Sequence, residues 1–465
     1  MHRHPSLFER LTSRLSGELD RQMNLSCGDV LSITLSAAEL PLCQLPAGLT
    51  GYRYWAKPAS RRFLLGLGQA AVITAAGAGR LQEACVAFRD LGSRWRHSDP
   101  DDTELVPLAF VAFAFDPDDP MQDEWAGLPN TLIEVPSVLW QRDGSASAMT
   151  FSCGIAGADW REDVLAHWRA TLERITESAL QTLSQAAYPN TLTRIGARPA
   201  EEAWLAIAGH ATSGIREKRL HKVVLARHVT VHAQRRLDPA RVMASLAYRY
   251  PACTQFAVDA GERALVAASP EQLVRVDGGQ VSSDALAGTM RRSANEALDR
   301  RLQENLLDCV KSRHEHELVV NHVAAALACH CTEVRVPQRP EVLSLRFVHH
   351  LWSPLAGRLR EECSLLDLLE RLHPTPAVGG TPMAEALAWI RENEPLRRGW
   401  YTGALGWVTP AGDGELSVVL RCALVNGHHA QLFAGAGVVG GSNPTAELEE
   451  TELKLQTLLD ALQDA

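Results

Sequence analysis

Apolar and polar positions along this chain fall into two alternating regimes. Runs of β-branched and aromatic residues, bounded by Gly, Pro, Asn and Asp, predict strands over Asp29–Ala37, Arg62–Ala75, Pro107–Phe115 and, around a turn at Asp143-Gly144, two more within Thr131–Cys153. Spacings near 3.6 residues predict helices over the first 23 residues, over Gly79–His97 and over Ala158–Ala187. Tyr188–Pro199, rich in Pro, Asn, Thr and Gly, reads as a linker. Beyond it come a helix over Glu201–Glu217 and a strand opening at Lys222 in KVVLARHVTV. A strand over Arg263–Val276 is broken at Ser269-Pro270-Glu271, and a turn follows at Gly278-Gly279. A long helix is expected over Leu302–Cys331, and shorter ones over Leu365–Leu372 and Met383–Glu394. The ordering is that of an α+β protein, with large antiparallel sheets and flanking helices, rather than a doubly wound sheet. The expected halves are residues 1–197, packing on the catalytic part, and 198–465.

The stretch Gly414–Lys454 is the densest in signals. Leu416–Val425 is an apolar run containing Arg421, Asn426-Gly427 is a hairpin signal, and Gln431–Gly435 is a second run. Glycines at 435, 437, 440 and 441 then predict a bend. Ser442-Asn443-Pro444 supplies an N-cap and a proline for the first helical turn. On that helix Glu447, Glu450 and Lys454 share a face. The letters GAGVVG match a dinucleotide fingerprint, but only a helix separates them from Ala465, and the fingerprint requires a second parallel strand. Glycines after a strand still imply that something approaches the backbone closely.

Composition is that of a soluble globular chain: 46% hydrophobic and 22% charged. The formal charge of −9 argues against nucleic acid. The ten cysteines include no C-x-x-C pair, and no secretory leader is read, so reduced thiols in the cytoplasm are expected. No apolar run approaches the roughly 20 residues of a membrane span. Cys329-His330-Cys331 lacks the second pair of a zinc site.

Three groups of residues carry candidate chemistry. Lys222, at the head of an apolar strand, is either an edge-strand lysine or a general base; the latter must give up a proton that a free lysine holds by roughly 4 kcal/mol at neutral pH. Glu271, at a strand break, is either a turn cap or an acid kept protonated in an apolar pocket. His314 and His316 are too close in sequence for an H-E-x-x-H zinc motif and diverge around the helix by about 200°. Acids on two separate helices, 314–317 and 447–452, could instead hold Mg²⁺, whose remaining shell is water and substrate.

KVVLAR, SPEQL, LAGT, RHEHELV, LHPTPAVGG, LRCA and FAGAGVVGGSNPTAELEETELK, in this order, resemble the chorismate-binding enzymes, the anthranilate synthase component I-like family. HPTPAVGG together with Lys222 resembles the isochorismate synthases within it, which feed salicylate, siderophore and menaquinone biosynthesis. The likeness spans Lys218–Ala465 and extends loosely to WAKPASRRFLLGLGQA. It implies a Mg²⁺-dependent isomerase turning chorismate into isochorismate. Glu315 and Glu450 would hold Mg²⁺. Lys222 would activate the water that attacks C2, and Glu271 would protonate the departing C4 hydroxyl. Arg421, Tyr401, Lys454 and the Gly435 backbone would hold the enolpyruvyl carboxylate, and Gly288 and Thr289 the ring carboxylate. His350 would line the site near Ala377 and Val378. A monomer or weak dimer is expected. Ser312 replaces a usual aspartate, and Glu449 adds a charge beside Glu450. The rival readings are salicylate synthase, which goes on to release pyruvate, and a non-catalytic chorismate-binding module.

Overall fold

The computed structural model describes residues 7–22, 25–38, 44–156, 160–180, 189–217 and 220–465. Among them the strands form two sheets, of 13 and 10 strands. Every described pairing is antiparallel except that of Val30–Ser36 with Trp95–Ser98. The architecture is α+β, and strands from before and after residue 198 mix in both sheets. Tyr52–Lys57 pairs with Thr254–Asp259 in the larger sheet, and Ala109–Phe113 with Ala404–Val408 in the smaller. Strands such as Ala109–Phe113 and Gly414–Val418 are buried along their whole length, because one face meets the opposing sheet and the other a helix layer. Trp55, Trp140, Trp168, Trp204 and Trp400 are completely enclosed in this interior.

Several expected elements change on folding. Arg62–Ala75 is two strands, Arg62–Leu67 and Ala71–Ala75, which turn at Gly68 (φ +66°) and enter different sheets. Thr131–Cys153 holds three strands rather than two. The expected linker contains a strand, Leu192–Arg198, paired with Lys222–Ala233; Tyr188 lies outside the described residues, as do the ends of the helix expected over Ala158–Ala187, which is seen over Trp160–Leu180. The long helix is interrupted at Cys309 into Glu296–Asp308 and Val310–His330.

Two features of Gly414–Lys454 differ as well. The apolar run is two strands: Gly414–Val418 lies in the smaller sheet and Cys422–Asn426 in the larger. Arg421 is therefore not inside a strand. It stands at the crossing, with φ +48°. The glycines at 435 and 437 make no bend, because the strand runs on through them to Val439. Asn443 caps the following helix, Pro444–Gln463, accepting from the amides of Thr445 at 2.9 Å and Ala446 at 3.3 Å.

A second crossing lies beside the first. Ala264–Ser269 belongs to the larger sheet and Gln272–Asp277 to the smaller, and the chain passes between them at Pro270-Glu271. The two crossings are joined by backbone hydrogen bonds. Val418 N–H donates to Glu271 O at 3.1 Å, and Ala268 N–H to Arg421 O at 3.2 Å. Glu271 and Arg421 thus sit side by side where the sheets part.

Candidate active site

Over this corner lies a cavity walled by Glu271, Gly288, Thr289, Glu315, His350, Ala377, Val378, Tyr401, Arg421, Gly435, Glu450 and Lys454. Residues from nine separated segments of sequence converge here. Lys222 is not on the cavity surface. Its side chain is almost wholly enclosed just behind it, with Nζ 2.8 Å from Glu315 Oε1. It is no edge-strand lysine, since its strand pairs with His429–Val439 on one side and Gly380–Thr381 on the other.

The glycines explain how so many groups fit. A β-carbon at Gly437 would lie 2.5 Å from Glu315 Oε1 and 3.0 Å from Lys222 Cε. One at Gly435 would lie 2.8 Å from Leu225 O and 3.0 Å from the Tyr401 hydroxyl. Gly288, with φ +77°, lets its strand pass within touching distance of Ser312 on the helix Val310–His330. Ser312 thus packs against a cavity residue, one turn ahead of Glu315.

The polar groups form a directed chain. Arg421 has only N–H groups to give, so its Nη2 donates to His350 Nε2 at 3.1 Å. That leaves the proton of neutral His350 on Nδ1, which faces Thr289 Oγ1 at 3.2 Å and Gly288 O at 3.4 Å. Burial, followed by the charges of Arg421 and Lys454, holds His350 well below its usual range and so keeps it neutral. Thr289 Oγ1 donates to Glu450 Oε1 at 3.2 Å, and Lys454 Nζ donates to Gly435 O at 2.8 Å while standing 2.6 Å from Glu450. Among the described residues, the Arg421 guanidinium makes no other side-chain hydrogen bond, so its remaining donors are available to a ligand. Burial lowers its affinity for its proton.

Glu271 is enclosed, and its Oε1 has no hydrogen-bond partner among the described residues. Burial and then the charge of Asp284 push its pKa up to about 8, against the pull of Arg421, Lys222 and Lys454. Its surroundings favour the protonated acid over the carboxylate. Burial acts the same way on Glu450, but Lys454 and Thr289 outweigh it and hold that carboxylate below its usual range. Glu447 faces Lys311 at 2.7 Å rather than the cavity. Glu449 is exposed and off the cavity wall. Of the H-E-H-E run only Glu315 reaches the site. His316 is bonded to Ser353 Oγ at 2.8 Å and driven by burial to about 4, and His314 and Glu317 face outward.

The sequence profile of the chorismate binding enzymes matches residues 19–463. The chain belongs to the chorismate-binding enzyme family. Isochorismate synthase MenF of Bacillus subtilis is 33% identical over 425 residues, spanning 89% of this chain and 88% of its own. The salicylate biosynthesis isochorismate synthase of Pseudomonas aeruginosa is 35% identical over 360 residues, 77% of this chain and 75% of its own. Among solved structures, the menaquinone-specific isochorismate synthase MenF of Escherichia coli superposes with a TM-score of 0.76, at 26% identity, over 97% of this chain and all of that one. The resemblance drawn from seven motifs therefore extends to the N-terminal half, where the motifs were weak.

This chorismate-binding fold also uses residues that carry no sequence signal. Between Gly380–Thr381 and Leu192–Arg198 a gap leaves part of Lys222–Ala233 without a neighbouring strand. Two buried side chains fill it. Arg398 donates to Val224 O at 2.7 Å and to Val378 O at 2.8 Å, and Glu394 Oε1 accepts from Ala226 N at 3.0 Å. Arg398 and Glu394 also bond each other, Nε to Oε2 at 2.9 Å. The pair couples the lysine's strand to the Ala377-Val378 loop. His373, buried and driven to about 3, anchors the start of that loop on Thr402 O at 2.8 Å.

Proposed function

We propose that the chain is an isochorismate synthase, an isomerase that adds water at C2 of chorismate, expels the C4 hydroxyl and shifts the ring double bond. The observation that carries this is an enclosed lysine just behind, and an enclosed glutamate whose surroundings favour its protonated form on, one cavity that also presents Arg421 and Lys454. Arg421 and Lys454 supply local positive charge for a dianion despite the net negative chain. The planar fork of Arg421 suits a carboxylate, and Tyr401 offers a hydroxyl beside it. Gly288 and Thr289, on the cavity wall, would meet the ring carboxylate, and Ala377 and Val378 add apolar surface.

In this reading Lys222, once it has given up its own proton, takes one from the attacking water. Glu271 delivers a proton to the C4 oxygen, which leaves as water. The enzyme is left with an ammonium and a carboxylate, and solvent returns the proton between them. Glu271 suits an acid's role because its environment favours the protonated state, in line with general acids held in apolar pockets.

The donor set also fits Mg²⁺. Glu315 and Glu450 come from different helices and face one cavity. Among the described residues no third acid, His or Cys converges with them into a closed cage, which suits a cation that keeps water and substrate oxygens. When bound, Mg²⁺ would supply a dication that polarises and orients a carboxylate.

The test is incubation with chorismate and Mg²⁺, with products separated by chromatography, alongside Lys222→Ala. Isochorismate without pyruvate is expected, and its loss in the variant. Pyruvate release by the native chain would favour salicylate synthase instead, and full turnover by Lys222→Ala would remove the base.

A further inference from the structure

Behind Glu271, away from the cavity, lies a second group of charges. Asp284, on the strand Gln280–Arg291, is placed within one residue of the acid. Its Oδ2 accepts from the amide of Gln272 at 3.4 Å and its Oδ1 from the indole N–H of Trp352 at 2.9 Å. With both oxygens accepting, the carboxylate is set up as the ionised form. The Gln272 side chain is pinned at both ends, by Lys57 Nζ on its oxygen at 3.2 Å and Ser282 Oγ on its nitrogen at 2.9 Å. Lys57 arrives from the opposing sheet, at the end of Tyr52–Lys57, and its ammonium also lies 2.5 Å from Glu415, which is fully enclosed. None of Lys57, Gln272, Asp284 and Glu415 reaches the cavity.

We propose that Asp284 is a positioning residue for Glu271, facing it with a fixed negative charge that keeps the acid loaded with its proton, and that Lys57 holds that charge in place from the N-terminal half. This rests on the reading of Glu271 as the acid. Three cations act on Glu271: Arg421 at the neighbouring crossing and Lys454 on the last helix, both on the cavity wall, and Lys222, enclosed behind it. All three favour the ionised form. The carboxylates of Glu315 and Glu450 stand across the same cavity, and His350 there is neutral. Burial is the largest influence against ionisation, and Asp284 is the charge that adds to it. Asp284 in turn is raised above its usual range, by burial above all and more weakly by Glu415, against the pull of Trp352, Gln272 and Lys57 toward the ionised form. Without Lys57, Asp284 loses the cation that favours its ionised form, and its negative charge is held less firmly against burial.

The test is kcat against pH for the native enzyme, Asp284→Asn, Lys57→Met, Lys57→Arg and Glu271→Gln, with KM for chorismate and a thermal melt for each. In Asp284→Asn the alkaline limb of kcat moves toward acid by about one pH unit, so that turnover above the limb falls about tenfold, and in Lys57→Met it moves the same way by less. KM stays near native, and Lys57→Arg keeps the native limb. An alkaline limb that stays in place in folded Asp284→Asn, with kcat lowered evenly at every pH or not at all, overturns the proposal. Should Lys57→Met fail to fold, Asp284→Asn decides alone, since the amide keeps the shape of the side chain. Glu271→Gln separates the two ideas. Native activity there removes the acid and this proposal with it, whereas an inactive Glu271→Gln beside an unshifted Asp284→Asn removes only this proposal.

Discussion

Gly437→Ala is the smallest change that reaches the centre of the site. Gly437 lies within a regular strand and has no left-handed φ, so alanine suits its backbone. Such a replacement ordinarily stabilises by about 0.4–1 kcal/mol through the unfolded chain. The added methyl would lie 2.5 Å from Glu315 Oε1 and 3.0 Å from Lys222 Cε. An ordinary non-bonded contact is about 3.5 Å or more, so the carboxylate has to retreat by roughly 1 Å. The end of a glutamate side chain yields cheaply, and the cost of crowding stays near the low end of the about 1–3 kcal/mol seen for overpacked sites. The two effects nearly cancel, and the melting temperature should move by only about 2 °C. Function should not be spared. Displacing a reacting group by about 1 Å costs on the order of 100-fold, close to 2.7 kcal/mol of barrier. We expect kcat/KM for chorismate to fall about 100-fold, with more Mg²⁺ needed for half-maximal turnover, read by chromatography across a Mg²⁺ titration. Gly441→Ala, whose new methyl would meet nothing within 4 Å, serves as the control. A Gly437→Ala enzyme with native turnover and native Mg²⁺ requirement would show that the Lys222–Glu315 pair is not at the reaction centre.

Two further outcomes follow from the buried charges. Glu271 has a folded pKa raised from 4.5 to about 8, so its contribution to stability is complete below pH 4.5 and is lost as pH rises through 8. Glu271→Gln, neutral throughout, escapes that loss, and its melting temperature relative to the native chain should climb steadily between pH 5 and pH 9; a constant difference would contradict the raised pKa. Arg398→Met strips Glu394 of its partner and leaves two carbonyls, Val224 O and Val378 O, without a donor. Denaturant titration should show a loss of about 3–5 kcal/mol, partly recovered by Arg398→Met with Glu394→Leu, and an unchanged midpoint would mean that the gap in the sheet is closed some other way.

The candidate residues of this chain are easier to pick out in sequence than their arrangement in space. Lys222, Glu271, Glu315, Glu450 and Arg421 stand out because an ionisable group inside an apolar run, or two acids on separate helices, is costly without a purpose. Their convergence in one cavity is a tertiary fact. VVLRCALV is apolar on both sides of Arg421, and with both faces buried there is no alternation to reveal that the chain changes sheet there. Leu192–Arg198 was read as a linker because it is a largely exposed edge strand, polar enough to look like a loop. No Gly or Pro marks the break at Cys309. Glycine's poor strand propensity suggested a bend at Gly435 and Gly437, when the missing side chains were making room for Glu315, Lys222 and Tyr401. Glu394, the last residue of an expected helix, and Arg398, just beyond it, could be recognised only once the gap they fill was visible.

The twin crossings have a mechanical consequence. Because the two chain segments change sheets together and are stitched to each other at 418/271 and 268/421, Glu271 and Arg421 ride on one splice. Slippage of one sheet over the other would carry Glu271 and Arg421, the proposed proton donor and anion anchor, as a unit, preserving their mutual spacing. What such breathing would alter is their reach to Lys222, Glu315 and Glu450, which hang from a neighbouring strand and two outer helices. Strain in the sandwich is therefore felt first as a change in alignment between the two sides of the substrate.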